Sequence, residues 1–312
     1  MKKSLISLVV PVYNEADGIS IFLEELYRVL LSLSYEFEVI MVDDGSRDKT
    51  SEIIMSEKYE HLKLISLSRN FGHQAALLAG LEEAKGEFIV TLDGDLQHPP
   101  SLIPKLLEQH EKGIDVVLTK RLSDSETKRL KNDTSVLFYR VLNRISSQKI
   151  LENGSDFRSL NRQALDALLS MPEKRKFLRG MVQWIGFTQV VIPFSVGSRV
   201  AGESKYSILK MFSLALFGIT SFTTIPLYLS AVFGLILFSL AAIYAVYVIF
   251  AKLFFSTVVE GWASVLFVQL AVGGFICLFL GLFGIYLAAI YDEVKQRPDY
   301  IVKDVHEPKQ KN

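Results

Sequence analysis

The chain reads as an α/β domain built on a mostly parallel sheet, followed by a two-helix transmembrane hairpin. Three observations predict this. Apolar, β-prone runs alternate with helix-spaced runs over residues 5–118, the pattern of βαβ units. Acidic, amide and guanidinium side chains cluster directly after four of those apolar runs, where the ligands of such sheets sit. Residues 211–251 and 261–291 contain no Asp, Glu, Lys or Arg, and each run exceeds the roughly 20 residues that cross a bilayer.

Taken in order, residues 5–10 are an apolar run fit for a strand covered on both faces. Lys2-Lys3 ahead of it mimics a secretory signal, but Pro11 breaks the run and Asn14-Glu15 follows without a small-residue cleavage site, so a strand is expected. Ile19, Phe22, Leu23, Leu26, Leu30 and Leu33 have helical spacing. A second strand over 37–42 runs into Asp43-Asp44-Gly45-Ser46, and a helix over 48–58 follows. Strands are expected over 61–67, 87–92 and 115–118, with helices over 72–84 and 101–111. Pro99-Pro100 starts the latter, since proline is tolerated at a first helical position.

After Lys120 the pattern loosens. Residues 121–131 read as a charged loop or lid, and 135–150 as an amphipathic helix. Residues 172–184 mix Lys174, Arg175, Lys176 and Arg179 with Phe177, Leu178, Met181, Val182 and Trp184. Such a helix suits either an anionic membrane face or packing against the sheet. A second interfacial helix is expected over 207–222, then spans over about 225–250 and 262–290. The domain boundaries expected are therefore 1–171, 172–222, 223–291 and a cytoplasmic tail over 292–312. Gly273, Cys277 and Gly281 form a small-residue seam that suits helix contact and hints at a homo-oligomer. Lys205, Lys210, Lys295, Arg297 and Lys303 flank the spans, which puts both termini and the first domain on the cytoplasmic side of the cell membrane.

The totals narrow the function. The 34 basic and 34 acidic residues balance, unlike the basic surplus of a nucleic-acid binder. The single cysteine, Cys277, allows no internal disulfide and no cysteine-rich metal site. No G-x-G-x-x-G and no P-loop lysine motif follows a strand. Instead the run Thr91-Leu92-Asp93-Gly94-Asp95-Leu96-Gln97-His98-Pro99-Pro100 places two carboxylates and an amide oxygen after the fourth strand. Hard oxygen donors of this kind suit Mg²⁺ or Mn²⁺ carrying phosphates, and Gly94 between them allows close backbone approach. A metal on a nucleotide diphosphate neutralises a leaving nucleotide, which is the chemistry of sugar transfer. His73 and His98 read as loop hydrogen-bonders.

Six motifs in order then carry a resemblance. Pro11-Val12-Tyr13-Asn14-Glu15, Asp43-Asp44-Gly45-Ser46, Arg69-Asn70-Phe71-Gly72-His73, Asp93 to Pro100, Gly154-Ser155-Asp156-Phe157-Arg158 and Arg199 to Tyr206 resemble family 2 glycosyltransferases. The similar subgroup is the polyprenyl-phosphate glycosyltransferases, comprising dolichol-phosphate mannose synthase and the bacterial GtrB-type enzymes. The resemblance implies a GT-A fold and assigns roles. Pro11, Tyr13 and Glu15 would line the base and ribose, with Asp43 bonding the base and Asp44 beside it. Asp93, Asp95 and Gln97 would hold the metal and diphosphate. Asp93 stands between that role and contact with ribose or sugar, so Asp95 is the firmest ligand. Gly94 replaces the subgroup's usual alanine, which should loosen the turn and spare the ligands. Arg199 and Lys205 would close on the diphosphate and acceptor phosphate, and Arg121, Lys131 and Ser135 would receive the acceptor phosphate. Asp156 holds the position given to the catalytic base, although a phosphate acceptor with a second pKa of about 6 hardly needs one. Orienting a cationic side chain or the sugar is the alternative.

The expectation is an inverting transferase that moves glucose from UDP-glucose to undecaprenyl phosphate at the cytoplasmic face, giving a β-linked product for the cell envelope. UDP-N-acetylglucosamine or another nucleotide sugar is the alternative donor. A processive polysaccharide synthase fits less well, since Gln183-Trp184 does not complete a Q-x-x-R-W motif and two spans make no conduit. A catalytically silent scaffold or flippase partner is disfavoured by the intact Asp93, Asp95 and Gln97 set.

Overall fold

The computed structural model of the chain describes residues 4–57, 59–122, 154–174, 176–195, 225–255 and 261–307. The strands are β1 (Leu5–Val12), β2 (Glu36–Asp43), β3 (Leu62–Leu67), β4 (Phe88–Thr91), β5 (Val116–Leu122), β6 (Gly154–Asn161), β7 (Gln189–Ser195) and β8 (Val302–His306). They form one sheet in the order β7-β5-β6-β4-β1-β2-β3-β8. β1 pairs in parallel with β2 and β4, β2 with β3, and β5 with β7. β6 runs antiparallel to β4 and β5, and β8 antiparallel to β3. The sheet is mostly parallel, as expected, and the five expected strands are all present. β6, β7 and β8 join them.

The helices of this unit are α1 (Ile19–Leu30), α2 (Thr50–Ser56), α3 (His73–Glu83), α4 (Ile103–Glu111), α5 (Arg162–Leu169) and α6 (Leu178–Trp184). A 3₁₀ turn over Pro100–Leu102 leads into α4, so the proline pair does start that helix. Asn161 caps α5 by accepting the Ala164 N–H at 2.9 Å, the ordinary device for satisfying a first-turn donor.

Alternation along the strands divides the core. One layer packs α1 and α4 over Leu8, Val10, Met41, Val90 and Phe157. The other packs α3, α5 and α6 over Val9, Val42, Ile65, Leu118 and Leu160. Leu8, Val9 and Val10 are all fully buried, because β1 is central and covered on both faces. Each such side chain contributes about 1.5–3 kcal/mol on burial. Leu178, Met181 and Val182 of α6 sit in the second layer, so the described part of 172–184 packs against the sheet.

Two further differences matter. β5 extends to Leu122, so Arg121 belongs to a strand end and not to a lid. The segment read as a tail returns to the sheet. β8 covers the edge of β3, the Ser68 N–H donates to the Ile301 carbonyl at 2.9 Å, and Lys63 pairs with Glu307 at 3.1 Å. The Tyr300 hydroxyl donates to Glu82. A covered edge removes a pairing hazard.

A second compact unit holds α7 (Ile225–Phe255) and α8 (Trp262–Lys295). Phe233 and Phe275 meet with ring centroids 5.0 Å apart. Large apolar side chains along both helices are exposed, Leu235 and Leu278 among them, as in helices that are apolar all round. Among the described residues, Ala271–Lys295 is long and apolar enough to cross a membrane. A Cβ added at Gly273 or Gly281 would meet nothing within 4 Å, so the small-residue seam does not carry the α7–α8 contact. The helices expected over 135–150 and 207–222 lie outside the described residues.

Candidate active site

The carboxyl ends of β1, β2, β4 and β5 share one edge of the sheet. β6 runs the opposite way, so its first residues arrive at the same edge. Pro11 is buried inside β1, and Tyr13 just beyond it is exposed. Asn14 adopts a φ of 54°, a conformation that Asn tolerates better than most residues. Its N–H donates to Ser46 Oγ at 2.9 Å, and the Glu15 N–H donates to Thr50 Oγ1 at 2.9 Å. The β1 and β2 exits are thereby laced together.

Asp43 and Asp44 end β2 in buried positions. Asp43 accepts the Ser46 N–H at 2.9 Å and the Ser51 hydroxyl. Asp44 accepts the N–H groups of Phe71 and Gly72 at 2.7 and 2.9 Å. Burial pushes Asp44 above the usual carboxylate range, and those two N–H groups oppose the rise. Gly45 has a φ of +68°, and a Cβ there would lie 2.5 Å from the Arg69 backbone. Glycine is therefore demanded where the D-D-G-S and R-N-F-G-H loops touch.

The second loop delivers His73. Its Nε2 lies 2.8 Å from Asp93 Oδ1. Burial pushes the imidazole down, but the Asp93 hydrogen bond and charge outweigh it and the pKa is raised. Asp93 is lowered in turn, as the His73 hydrogen bond and charge overcome its burial. On the other side of Asp93 is His98, fully buried and stacked on Phe157 at 5.3 Å. Its Nδ1 accepts the Asp93 N–H at 2.9 Å. Nε2 therefore carries the proton and donates to Ser155 Oγ at 2.7 Å. Arg121 Nη2, 3.1 Å from the same Nε2, meets it donor to donor. Burial lowers the pKa of His98, consistent with a neutral ring.

Asp95 is half-buried, and its Oδ1 accepts the Gln97 N–H at 3.1 Å. Leu96 between them has a φ of 61°, an uncommon conformation for a bulky residue and a local strain of the kind that collects at functional loops. The Gln97 side-chain oxygen accepts from Arg121 Nη1 at 3.3 Å. A Cβ at Gly94 would lie 2.8 Å from Val12 Cγ1. The glycine thus serves a close approach to the Val12 side chain at the end of β1.

Asp156 and Arg158 share a face of β6, two residues apart. Asp156 Oδ1 lies 2.5 Å from Arg158 Nη2, and its Oδ2 lies 2.6 Å from Arg179 Nη2. Arg179 Nε adds a third bond at 3.0 Å. Burial alone would raise Asp156, but the two arginines hold it well below the usual carboxylate range.

Pro11, Tyr13, Glu15, Asp43, Asp44, Asp93, Gly94, Asp95, Gln97, Arg121 and Asp156 all fall on this edge. Lys131, Ser135, Arg199 and Lys205 lie outside the described residues. Sequence reasoning gave no chemistry to His73, His98, Arg158 or Arg179. The signal available for Arg158 was its place two residues after Asp156 in an extended run, since side chains two apart share a face of a strand and a buried charge requires a partner.

Residues 7–169 match the family described as Glycosyl transferase family 2. A prophage bactoprenol glucosyl transferase homolog of Escherichia coli K12 is 40% identical over 302 residues, covering 96% of this chain and 99% of that one. A prophage-derived bactoprenol glucosyl transferase of Shigella flexneri is 40% identical over 303 residues, covering 96% and 98%. An uncharacterized glycosyltransferase of Bacillus subtilis is 38% identical over 299 residues, covering 95% and 93%.

Proposed function

The chain belongs to glycosyl transferase family 2, and from that premise we propose that it transfers glucose from UDP-glucose to undecaprenyl phosphate. The observation that carries the reading is the 40% identity, over nearly the whole of both chains, to proteins named bactoprenol glucosyl transferases. The geometry supports it, since Asp93 and Asp95 stand at the carboxyl edge on a loop held from both sides.

The reaction needs no proton acceptor. A phosphate monoester is mostly dianionic near pH 7. One of its oxygens attacks the anomeric carbon from the face opposite the nucleotide. The bond from that carbon to UDP breaks, and its electron pair leaves with UDP. Inversion gives the β-linked lipid phosphate sugar. The dianionic acceptor and dianionic UDP-glucose become a monoanionic diester and trianionic UDP, so charge balances.

A divalent cation fits the donor set. Among the described residues no three His, Cys, Asp or Glu side chains gather to hold a metal. A cation arriving with the nucleotide needs no such cluster, because Mg²⁺ is commonly held by one or two carboxylates plus substrate phosphates. Asp95 and Asp93 would hold it, with Gln97 supplying a neutral oxygen. When bound, it would neutralise charge on the departing diphosphate. Tyr13, Glu15 and Asp43 would face the nucleoside from the β1 and β2 exits, and Arg121 would meet the acceptor phosphate, with Lys131, Ser135, Arg199 and Lys205 as further phosphate contacts. The two long apolar helices would anchor the enzyme where its lipid acceptor resides, with the sheet unit on the cytoplasmic face.

The test is a panel of radiolabelled nucleotide sugars offered with undecaprenyl phosphate, followed by lipid extraction. Label from UDP-glucose should enter the lipid phase. Its absence there, or a stronger signal from another sugar, contradicts the assignment.

A further inference from the structure

The Asp156, Arg158 and Arg179 cluster has a graded exposure. The Arg158 and Asp156 side chains are 2% and 5% exposed, whereas Arg179 is 38% exposed. Both carboxylate oxygens of Asp156 are engaged by guanidinium groups. Arg158 also donates through Nη1 to the Leu178 carbonyl at 3.2 Å, the residue immediately before Arg179. It therefore fixes the start of α6 as well as the carboxylate. The Gln183 side chain closes on the Arg179 carbonyl at 3.0 Å. One negative and two positive charges leave the cluster with a net positive charge. It adjoins the end of β4, where the Thr91 hydroxyl donates to the Asp156 carbonyl at 2.5 Å.

A general base must offer a lone pair to the proton it takes, with a pKa near the working pH. Asp156 fails the second, since the two arginines hold it well below the usual carboxylate range, and three guanidinium N–H groups already engage its two oxygens. A carboxylate gripping the inner edge of a guanidinium is instead a means of aiming it.

We propose that Asp156 is a positioning residue and that Arg179, which it holds at the rim of the site, takes a phosphate oxygen of a substrate. The planar guanidinium suits phosphate better than a lone hydroxyl, and the net positive cluster suits a reaction whose two substrates carry a diphosphate and a phosphate. Arg158 is the buried counter-charge that keeps Asp156 ionised and in place. This rests on the transferase reading above. The phosphate belongs to the donor or to the acceptor, and kinetics separate the two.

The experiment measures initial rates of the full-length enzyme with UDP-glucose and undecaprenyl phosphate varied independently, for wild type, Arg179→Ala, Asp156→Asn and the double variant. Arg179→Ala should raise the KM of one substrate about tenfold or more, as expected for a lost charge-assisted hydrogen bond. A raised UDP-glucose KM assigns the donor diphosphate, and a raised undecaprenyl phosphate KM assigns the acceptor. Added guanidinium ion should restore part of the loss. Asp156→Asn should raise the same KM, and the double variant should match the worse single variant to within about twofold. Asp156→Asn leaves Arg158 without its counter-ion, so if that protein does not fold, the partly exposed Arg179→Ala arm decides alone. Both KM values unchanged in Arg179→Ala overturn the proposal. So does a fall in kcat confined to Asp156→Asn. A wild type inactive with these substrates sinks the transferase reading and this inference together, whereas an active wild type with an indifferent Arg179→Ala sinks only the inference.

Discussion

Asp43 and Asp44 leave β2 at 3% exposure each, their oxygens occupied by N–H and O–H groups of neighbouring loops. Asp93 and Asp95 leave β4 half-buried, and Asp93 faces two imidazoles and a guanidinium. As text the two acidic pairs are alike, each following an apolar strand and each carrying a glycine. Their surroundings differ in kind. The first pair is engaged in holding loops in shape. The second is presented on a strained loop and held from behind. Asp44 serves Asp93 at one remove, by fixing the backbone that delivers His73. The difference teaches that an acid at a strand end is suited to hold a cation only where its partners leave it part-exposed at the sheet edge, while a buried one such as Asp43 shapes the wall that the nucleoside would meet.

The sharpest way to break this comparison is to remove one acid from each pair. Asp95→Ala should lower transfer by about a thousandfold, since Lewis-acid stabilisation is worth several kcal/mol, with thermal stability unchanged. Equal melting temperatures and a lost rate, measured on the same preparation, would uphold the contrast. Asp44→Ala should do the reverse, leaving two N–H groups without acceptors at a cost of at least about 2 kcal/mol. Its melting temperature should fall clearly, and its activity should suffer through a higher UDP-glucose KM. If Asp44→Ala kept wild-type stability, the division of labour would fail.

A smaller effect should come from behind the second pair. His98→Phe preserves the stacking volume against Phe157 but removes the acceptor of the Asp93 N–H. Outer hydrogen bonds of this kind are worth about 10–100-fold, so the rate should fall within that range while the fold survives. The smallest effect is a pH dependence of stability. His110 in α4 lies 2.7 Å from both the Ile114 carbonyl and Ser159 Oγ, and burial lowers its pKa. A folded pKa below the unfolded value means that the contribution is complete above the unfolded value of about 6.5 and is lost as pH falls from there through the lower folded pKa. Denaturation midpoints should therefore decline from pH 7.5 to pH 5, and less steeply in His110→Gln. Parallel curves for the two proteins would show that His110 is not a source of the decline.

Much of this was legible in the sequence because burial has a period. The first five strands and the α1 face of Ile19, Phe22, Leu23, Leu26 and Leu30 follow from apolar spacing alone. The carboxyl-edge loops follow from where polar residues interrupt it. β8 was not legible, because all of its residues are exposed and its pairing with β3 bridges more than 230 positions of sequence. Arg179 was hidden for a different reason. Its basic, aromatic surroundings suit a membrane face as well as a sheet, and the burial of Leu178, Met181 and Val182 together with the approach of Asp156 from β6 separates the two. The histidines behind Asp93 were read as loop hydrogen-bonders, which describes their bonds. What spacing could not show was that both bonds converge on the same acid.

The central claim is that the Asp93–Asp95 loop receives the donor through a divalent cation. Calorimetric titration of UDP into the purified protein, with and without Mn²⁺, and repeated on Asp95→Ala, tests it most directly. Binding should require the metal and be lost in the variant. Equal binding in the absence of metal, or in Asp95→Ala, would contradict it.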